Sequence, residues 1–424
     1  MGVIMENIIR INRSNPLRGN VGISGAKNAA VAIIPATLLA QGTCILENVP
    51  PLTDVRTQCE ILSALGAEVQ WLDTTTISVD PTQIKNITPP EGLAEKLRAS
   101  YYFMGALLGR FCSARTGMPG GCKIGPRPID QHLKGFQALG YDWTVMDGEV
   151  ILRPGGNGSE DIYFDLVSVG ATINVMLAAA GVKGTTTIEN AAREPEIIDV
   201  ANFLNKIGIT VRGAGTGTLR ITGTSHRGAA EHSIIPDRVE AGTFMVAAAA
   251  TGGDVLVKGI IPRHLESVTA KLRESGVTIV EGDDWLQVHG PSRGKAIDVK
   301  TFPYPGFPTD LQQPLASYLA VCSGTSIITE NIFESRFRYV DELKRMGANI
   351  KVEGRAAVIE GVEEMLGATV RPFDLRASSA LVIAGLIAQG ETRVRGVEHL
   401  RRGYHDFIGK LQGLGADIEL IAGQ

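Results

Sequence analysis

The feature that most restricts how this 424-residue chain can fold is an internal repeat. Six segments read as an amphipathic helix, a glycine stop and a strand: ILSALGAEV, FQALGYDW, FLNKIGITV, LRESGVTI, LKRMGANI and LQGLGADI. Their glycines are Gly66, Gly140, Gly208, Gly276, Gly347 and Gly415, separated by 74, 68, 68, 71 and 68 residues. In the third copy Val200, Phe203, Leu204 and Ile207 keep the i, i+3, i+4, i+7 stripe of a helix. Gly208 takes the stop position, and Ile209 and Val211 alternate as in a half-buried strand. The period is too long for an ordinary solenoid, whose units run about 20–50 residues. A compact unit used six times fits it.

About 23–31 residues before each glycine ends a second kind of helix, small and apolar nearly all round. These are KNAAVAIIPATLLAQG, RASYYFMGALLG, VGATINVMLAAAG, EAGTFMVAAAATGG, DLQQPLASYLAVCSG and RASSALVIAGLIAQG. A helix apolar on every face belongs in a core. Each unit then supplies one buried helix, one half-exposed helix and several strands, and the 50 glycines punctuate their ends.

The polar residues of the buried helices gather at their N-terminal ends: Lys27 and Asn28, Arg98, Ser168 and Thr172, Asp237 and Glu240, Asp310, and Asp374 with Arg376. Three units packed side by side in each of two lobes would bring six such ends to one cleft. Helix N-termini offer unpaired N–H groups and partial positive charge, so the cleft is expected to bind phosphate or carboxylate. Asp and Ser are ordinary caps, but Lys and Arg at a helix start oppose the dipole and call for another reason.

Composition excludes several classes. Lys plus Arg number 41 against 45 Asp plus Glu, a net charge of -4, which leaves no basic field for nucleic acid. No apolar run approaches the roughly 18–20 residues of a membrane span, and MGVIMENIIRIN lacks the apolar core of a signal peptide, so the expectation is a cytoplasmic protein without membrane insertion. Glu6 stands where a myristoylation motif at Gly2 would need Ser or Thr. Five cysteines without a CxxC, and seven histidines without an HExxH, indicate neither disulfides nor a metal; no cofactor is expected. The Gly-rich GAGTGT at 213–218 opens no helix and reads as a hairpin turn rather than a nucleotide loop.

The second unit carries its extra length in RFCSARTGMPGGCKIGPRPIDQH, a polar loop of the kind that is more often functional than decorative. There Arg115, Lys123 and Arg127 flank Cys122, and nearby cations favour a reactive thiolate. Cys44, Cys59 and Cys322 fall in strand or helix patterns and read as core, while Cys112 fits either reading.

Collinear motifs then carry a resemblance. SGAKNAA (24–30), PGGC (119–122), RPID (127–130), SVGAT (168–172), PDRVEAGTF (236–244), FPTDLQ (307–312), DLRAS (374–378) and RGY (402–404) together resemble the UDP-N-acetylglucosamine enolpyruvyl transferases over essentially the whole chain. GPRPIDQH with DLVSVGATINVML is most similar to the second copy found in some Gram-positive bacteria. The resemblance implies an α/β fold, a two-lobed inside-out α/β barrel of six βαβαββ repeats, three per lobe. It implies an N-terminal lobe over 22–234 with a catalytic loop at 112–126. A discontinuous C-terminal lobe would take 1–21 and 235–424.

The activity implied is transfer of the enolpyruvyl group of phosphoenolpyruvate to the 3'-hydroxyl of UDP-N-acetylglucosamine through a tetrahedral ketal, with release of phosphate. This is the first committed step of bacterial peptidoglycan synthesis, and so bears on cell wall biogenesis, cell shape and division. By resemblance Cys122 is the general acid and the thiol alkylated by fosfomycin, Asp310 takes the sugar proton, and Lys27 completes the catalytic set. Lys27, Asn28, Arg127, Asp374, Arg376 and Arg402 would hold phosphoenolpyruvate. Arg98, Arg127, Pro128, Ile129, Asp130, Gln131, Ser168, Val169, Gly170, Asp310 and Ile332 would line the nucleotide-sugar site. A carboxylate at a helix start is a poor base unless closure of two lobes over the cleft removes water and raises its pKa toward neutrality, and Asp310 is such a carboxylate.

Three positions depart from the family pattern: Leu166 where many members have Lys, Arg401 where Asp is common, and ARTGM before PGGC. Two rivals stand beside the reading. One is the same fold acting on shikimate 3-phosphate, against which the loop cysteine speaks; the other is a non-catalytic regulatory paralogue, expected to have lost Cys122, Asp310 or the cations.

Overall fold

The computed structural model describes residues 7–117, 128–156, 158 and 161–422. All six stop glycines have left-handed backbones, with φ between 88° and 106°, a region that an L side chain rarely adopts. The repeat is therefore written into backbone geometry: each amphipathic helix ends on a residue that turns the chain into a strand.

The chain divides into two compact units, one of residues 25–117 and 128–235, the other of 7–24 and 236–422. Three buried helices form the centre of the first: α1 (Lys27–Ala36), α2 (Tyr102–Phe111) and α3 (Val169–Ala179). Three form the centre of the second: α4 (Arg238–Ala250), α5 (Thr309–Leu319) and α6 (Leu375–Ile387). Nearly every side chain of these helices is buried, as their all-round apolar character requires. The helices α2 and α3 meet through Gly105 and Gly109, one turn apart, and a Cβ at either would lie 2.1–2.2 Å from a carbonyl oxygen of α3. Glycine there is a condition of contact between the two helices.

Small sheets surround each helix trio, apolar side inward. In the second unit Asp254–Lys258 runs parallel to Arg18–Gly22 and antiparallel to Trp285–His289, which pairs in turn with Thr278–Glu281. The same order, a parallel neighbour and then a hairpin, recurs in four-stranded sheets of both units. The first unit closes on itself because Glu231–Ser233 pairs in parallel with Cys44–Glu47. In the sixth repeat the hairpin strand comes from the other end of the chain: Asn7–Asn12 lies between Glu391–Val394 and Ile418–Ala422, antiparallel to both.

Strands 210–212 and 218–222 form a hairpin, and Gly213 and Gly215 turn it with positive φ; GAGTGT is that turn. Cys44, Cys59 and Cys322 are buried in the two cores. Burial pushes the Cys59 and Cys322 thiols up to about 12, so these three are inert structural thiols. Cys112 is exposed and ends α2 in a left-handed conformation. Among the described residues no helix is long and apolar enough to cross a membrane.

Candidate functional site

The helix starts separate into two kinds. At α3, α4 and α6 a side chain caps the helix. Ser168 accepts from the Ala171 N–H, Asp237 from Val239 and Glu240, and Asp374 from Arg376 and Ala377 at 2.8 and 2.9 Å. These acceptors satisfy N–H groups that the helix leaves open. At α1 and α5 the residue before the helix is Ala26 or Pro308, and no side chain caps it. Lys27 and Asp310, on the first turns of those two helices, make different contacts.

In the second unit Asp310 lies between two arginines. The Arg376 side chain donates to Oδ2 from Nε at 3.1 Å and from Nη2 at 2.9 Å, and Arg336 donates to Oδ1 from Nη2 at 2.7 Å. Both guanidiniums are buried, while the carboxylate keeps 26% of its side-chain surface. Burial works to raise the Asp310 carboxyl, but Arg376 and Arg336, with Arg238, outweigh it and hold the group well below the usual carboxylate range. A carboxylate so held is a weak base, as expected of one at a helix start, because two cations in direct contact exceed the cost of burial.

Supporting residues surround the cluster. Arg376 lies over the ring of Tyr404, 5.2 Å from its centroid, and the Tyr404 hydroxyl is within 3.0 Å of Thr243 and Ser379. Asp374 is held by Gln313 as well as by its capping bonds. Glu330, fully buried, accepts from Thr301, Thr309 and the N–H groups of Ile332 and Phe333. The Ile332 N–H is therefore engaged within the protein. Arg402 ends the short helix 397–401, half-buried; Arg401 beside it is exposed, so its departure from the family pattern faces solvent.

In the first unit Lys27 reaches the Asp54 carboxylate, Nζ to Oδ2 2.6 Å, and Asn28 beside it is half-buried. Ser168, Val169 and Gly170 begin α3, and a Cβ on Gly170 would come within 2.8 Å of the Tyr101 hydroxyl and 3.1 Å of His132 Nε2. Glycine here lets the start of α3 pack against both rings. Asn174 organises that corner: its Oδ1 accepts from the Gly105 N–H, so its Nδ2 donates to the Tyr101 carbonyl and to His132 Nδ1. His132 is thereby the neutral Nε2–H tautomer. Burial first, then Arg98, push its pKa down to about 3 against a smaller opposing pull from Asp130.

Arg98 stacks over Tyr101, 5.8 Å from the centroid. Pro128 and Asp130 are exposed and Ile129 is buried. The Gln131 amide is taken by Asp130, Asp165 and the Asp165 N–H, so that side chain works inside the protein. Leu166 is exposed. Cys122 and Arg127 lie outside the described residues. Arg115, expected beside that thiol, is ion-paired with Glu149 across strands 114–117 and 149–154. Its charge is neutralised at that pair.

Sequence reasoning missed Arg336, Glu330 and Asp54, and gave Tyr404 no role beyond its place in the RGY motif. The repeat offered a signal for the first two: the fifth unit places the charged segment ENIFESRFRY between its post-helix strand and its amphipathic helix.

A sequence profile described as EPSP synthase (3-phosphoshikimate 1-carboxyvinyltransferase) matches residues 11–411. A protein of Caldanaerobacter subterraneus subsp. tengcongensis described as UDP-N-acetylglucosamine 1-carboxyvinyltransferase 3 is 53% identical over 98% of this chain and 99% of its own. A UDP-N-acetylglucosamine 1-carboxyvinyltransferase of Clostridium botulinum is 52% identical over 97% and 99%. Among solved structures, the enolpyruvyl transferase NikO of Streptomyces tendae superimposes with a TM-score of 0.89 at 26% identity, covering 99% of this chain and 100% of its own. An EPSP synthase of Acinetobacter baumannii, at 19% identity and a TM-score of 0.74 over 98% and 100%, shares the fold.

Proposed function

The chain belongs to the EPSP synthase family of enolpyruvyl transferases, and from that premise we propose that it carries the enolpyruvyl group of phosphoenolpyruvate to the 3'-hydroxyl of UDP-N-acetylglucosamine. The observation that carries the reading is the match over nearly the whole chain to relatives named for this activity at 52–53% identity. The site agrees in chemistry: cations at helix starts suit a trianionic substrate, and arginine supplies bidentate geometry and permanent charge.

In this mechanism Asp310 takes the proton of the sugar 3'-hydroxyl as its oxygen bonds to C2 of phosphoenolpyruvate. The C2=C3 electron pair accepts a proton at C3 from Cys122. The resulting tetrahedral ketal then loses a proton from C3 and expels phosphate, which restores the double bond on the transferred group. Lys27, Arg127 and Arg402 bind the phosphate, Arg376 and Arg402 the carboxylate, with Asn28 and Asp374 beside them. Arg98, residues 127–131, Ser168 to Gly170 and the Ile332 carbonyl receive the nucleotide sugar. The product enters peptidoglycan synthesis in the cytoplasm.

Phosphate release from phosphoenolpyruvate tests the proposal. It should require UDP-N-acetylglucosamine; release with shikimate 3-phosphate instead would identify the other acceptor, and none with either would sink the enzyme reading.

A further inference from the structure

The segment Arg402–Gly403–Tyr404 does two things at once. Its first residue stands in the anion-binding set, and its third lies under another member of that set: the Arg376 guanidinium carbon is 5.2 Å from the centre of the Tyr404 ring. Arg376 is 4% exposed on the first turn of α6 and gives Nε and Nη2 to Asp310 Oδ2, while its buried Nη1 has no partner in the protein. One edge of the planar fork is therefore fixed by a carboxylate and one face by a phenol ring. Tyr404, 3% exposed, is itself held at both ends. Its ring packs on Phe407, centroids 4.8 Å apart, and Phe407 packs on Phe244 at 5.2 Å. Its hydroxyl is 3.0 Å from Thr243 Oγ1 on α4 and 3.0 Å from Ser379 Oγ on α6. Those two hydroxyls donate to the Val239 and Arg376 carbonyls at 2.7 and 3.0 Å, so the proton shared among the three is Tyr404's own. A Cβ on Gly403 would lie 2.3 Å from Leu375 Cδ2, so glycine brings the 402–404 turn against the first residue of α6.

We propose that Tyr404 is a positioning residue for phosphoenolpyruvate binding: its anchored ring sets the plane of the Arg376 guanidinium, and the single residue between Tyr404 and Arg402 makes one unit of the two arginines that take the substrate's carboxylate. This rests on the reading of Arg376 as a ligand of that carboxylate. A guanidinium grips a carboxylate through a planar fork, so a tilted plane loses the second hydrogen bond although the charge remains. Asp310 fixes one edge of Arg376 and leaves the fork able to turn about that edge. The ring removes this freedom, and its face attracts the cation more strongly for being shielded from water.

The test measures KM for both substrates in the unaltered enzyme, Tyr404→Phe, Tyr404→Leu, Arg376→Lys and the double variant Tyr404→Leu with Arg376→Lys. Tyr404→Leu removes ring and hydroxyl and should raise the KM for phosphoenolpyruvate about 10-fold, leaving that for UDP-N-acetylglucosamine nearly unchanged. Tyr404→Phe keeps the ring and loses only its anchor, for a rise of about threefold. Because Tyr404 acts through Arg376, the leucine change should add little once residue 376 is lysine, which has no plane to set. A parent KM for phosphoenolpyruvate in Tyr404→Leu, equal rises for both substrates, or full additivity in the double variant overturns the proposal. Should the leucine variant fail to fold, Tyr404→Phe decides by the same comparisons, alone and with Arg376→Lys. Arg376→Lys with the parent KM for phosphoenolpyruvate would instead remove the carboxylate assignment beneath it.

Discussion

Lys27 and Asp54 join the first turns of two helices, Nζ to Oδ2 2.6 Å, with 14% and 5% of their side chains exposed. The pair anchors an amino group at an uncapped helix start, where the dipole alone would repel it. Asp54 therefore holds Lys27 at that helix start.

Replacing Asp54 by Ala leaves a largely buried ammonium without its carboxylate, an expected loss of about 3 kcal/mol. Urea denaturation followed by circular dichroism reads the loss, and the KM for phosphoenolpyruvate should rise with it. Unchanged stability and KM would separate the pair from the site.

Asp310→Ala should lower turnover by at least about 100-fold, the low end of general-base contributions. Calorimetry should still detect UDP-N-acetylglucosamine binding. Turnover within a few-fold of the parent enzyme would assign proton removal elsewhere.

Fosfomycin should add one equivalent of mass, on the peptide containing Cys122. Cys44, Cys59 and Cys322 are buried, with burial raising each thiol, and should stay unlabelled in the folded protein. Cys112 is the exposed competitor among the described cysteines. Peptide mapping that finds the adduct there would move the reactive thiol to the end of α2.

His132 gives a pH test with a definite sign. Its folded pKa is depressed to about 3 against about 6.5 in an unfolded chain. Between those values the unfolded state binds the extra proton, so stability is full above pH 6.5 and falls with acidification. The loss is about 1.4 kcal/mol per pH unit. His132→Gln should flatten the stability profile between pH 6 and 4, as judged by urea midpoints; a slope equal to the parent's would locate the acid sensitivity in other groups.

Gly105→Ala would drive a Cβ to 2.1 Å from the Asn174 carbonyl oxygen, forcing α2 and α3 apart. A destabilisation of about 2–3 kcal/mol is expected. A thermal transition unchanged from the parent's would show that the contact yields freely.

What was legible in the sequence was periodic. Helices apolar on every face announce themselves without a partner, and the six stop glycines mark the units because the left-handed turn admits few other residues. Asp310, Arg376 and Lys27 stood out as charges at the starts of apolar helices. Arg336 did not, because it comes from a segment without periodicity and reaches its partner 26 positions away in sequence. For the same reason the weak basicity of Asp310 was legible only as that of a carboxylate at a helix start, because the second guanidinium was not visible. Gln131 and Asp374 show the converse, since their side chains make local bonds and a helix cap that the motifs did not announce.

The strand at residues 7–12, seated between 391–394 and 418–422, imposes an order of assembly during synthesis. The described strands of the unit 25–117 and 128–235 pair only with one another, so that unit can close while translation continues. Its neighbour must hold residues 7–12 in waiting until 418–422 emerge, because the sixth sheet pairs the two. A ribosome adding about 5–20 residues per second leaves that first strand without its partners for tens of seconds. This interval, rather than the chemistry of the site, is when the chain is most open to pairing with another copy of itself.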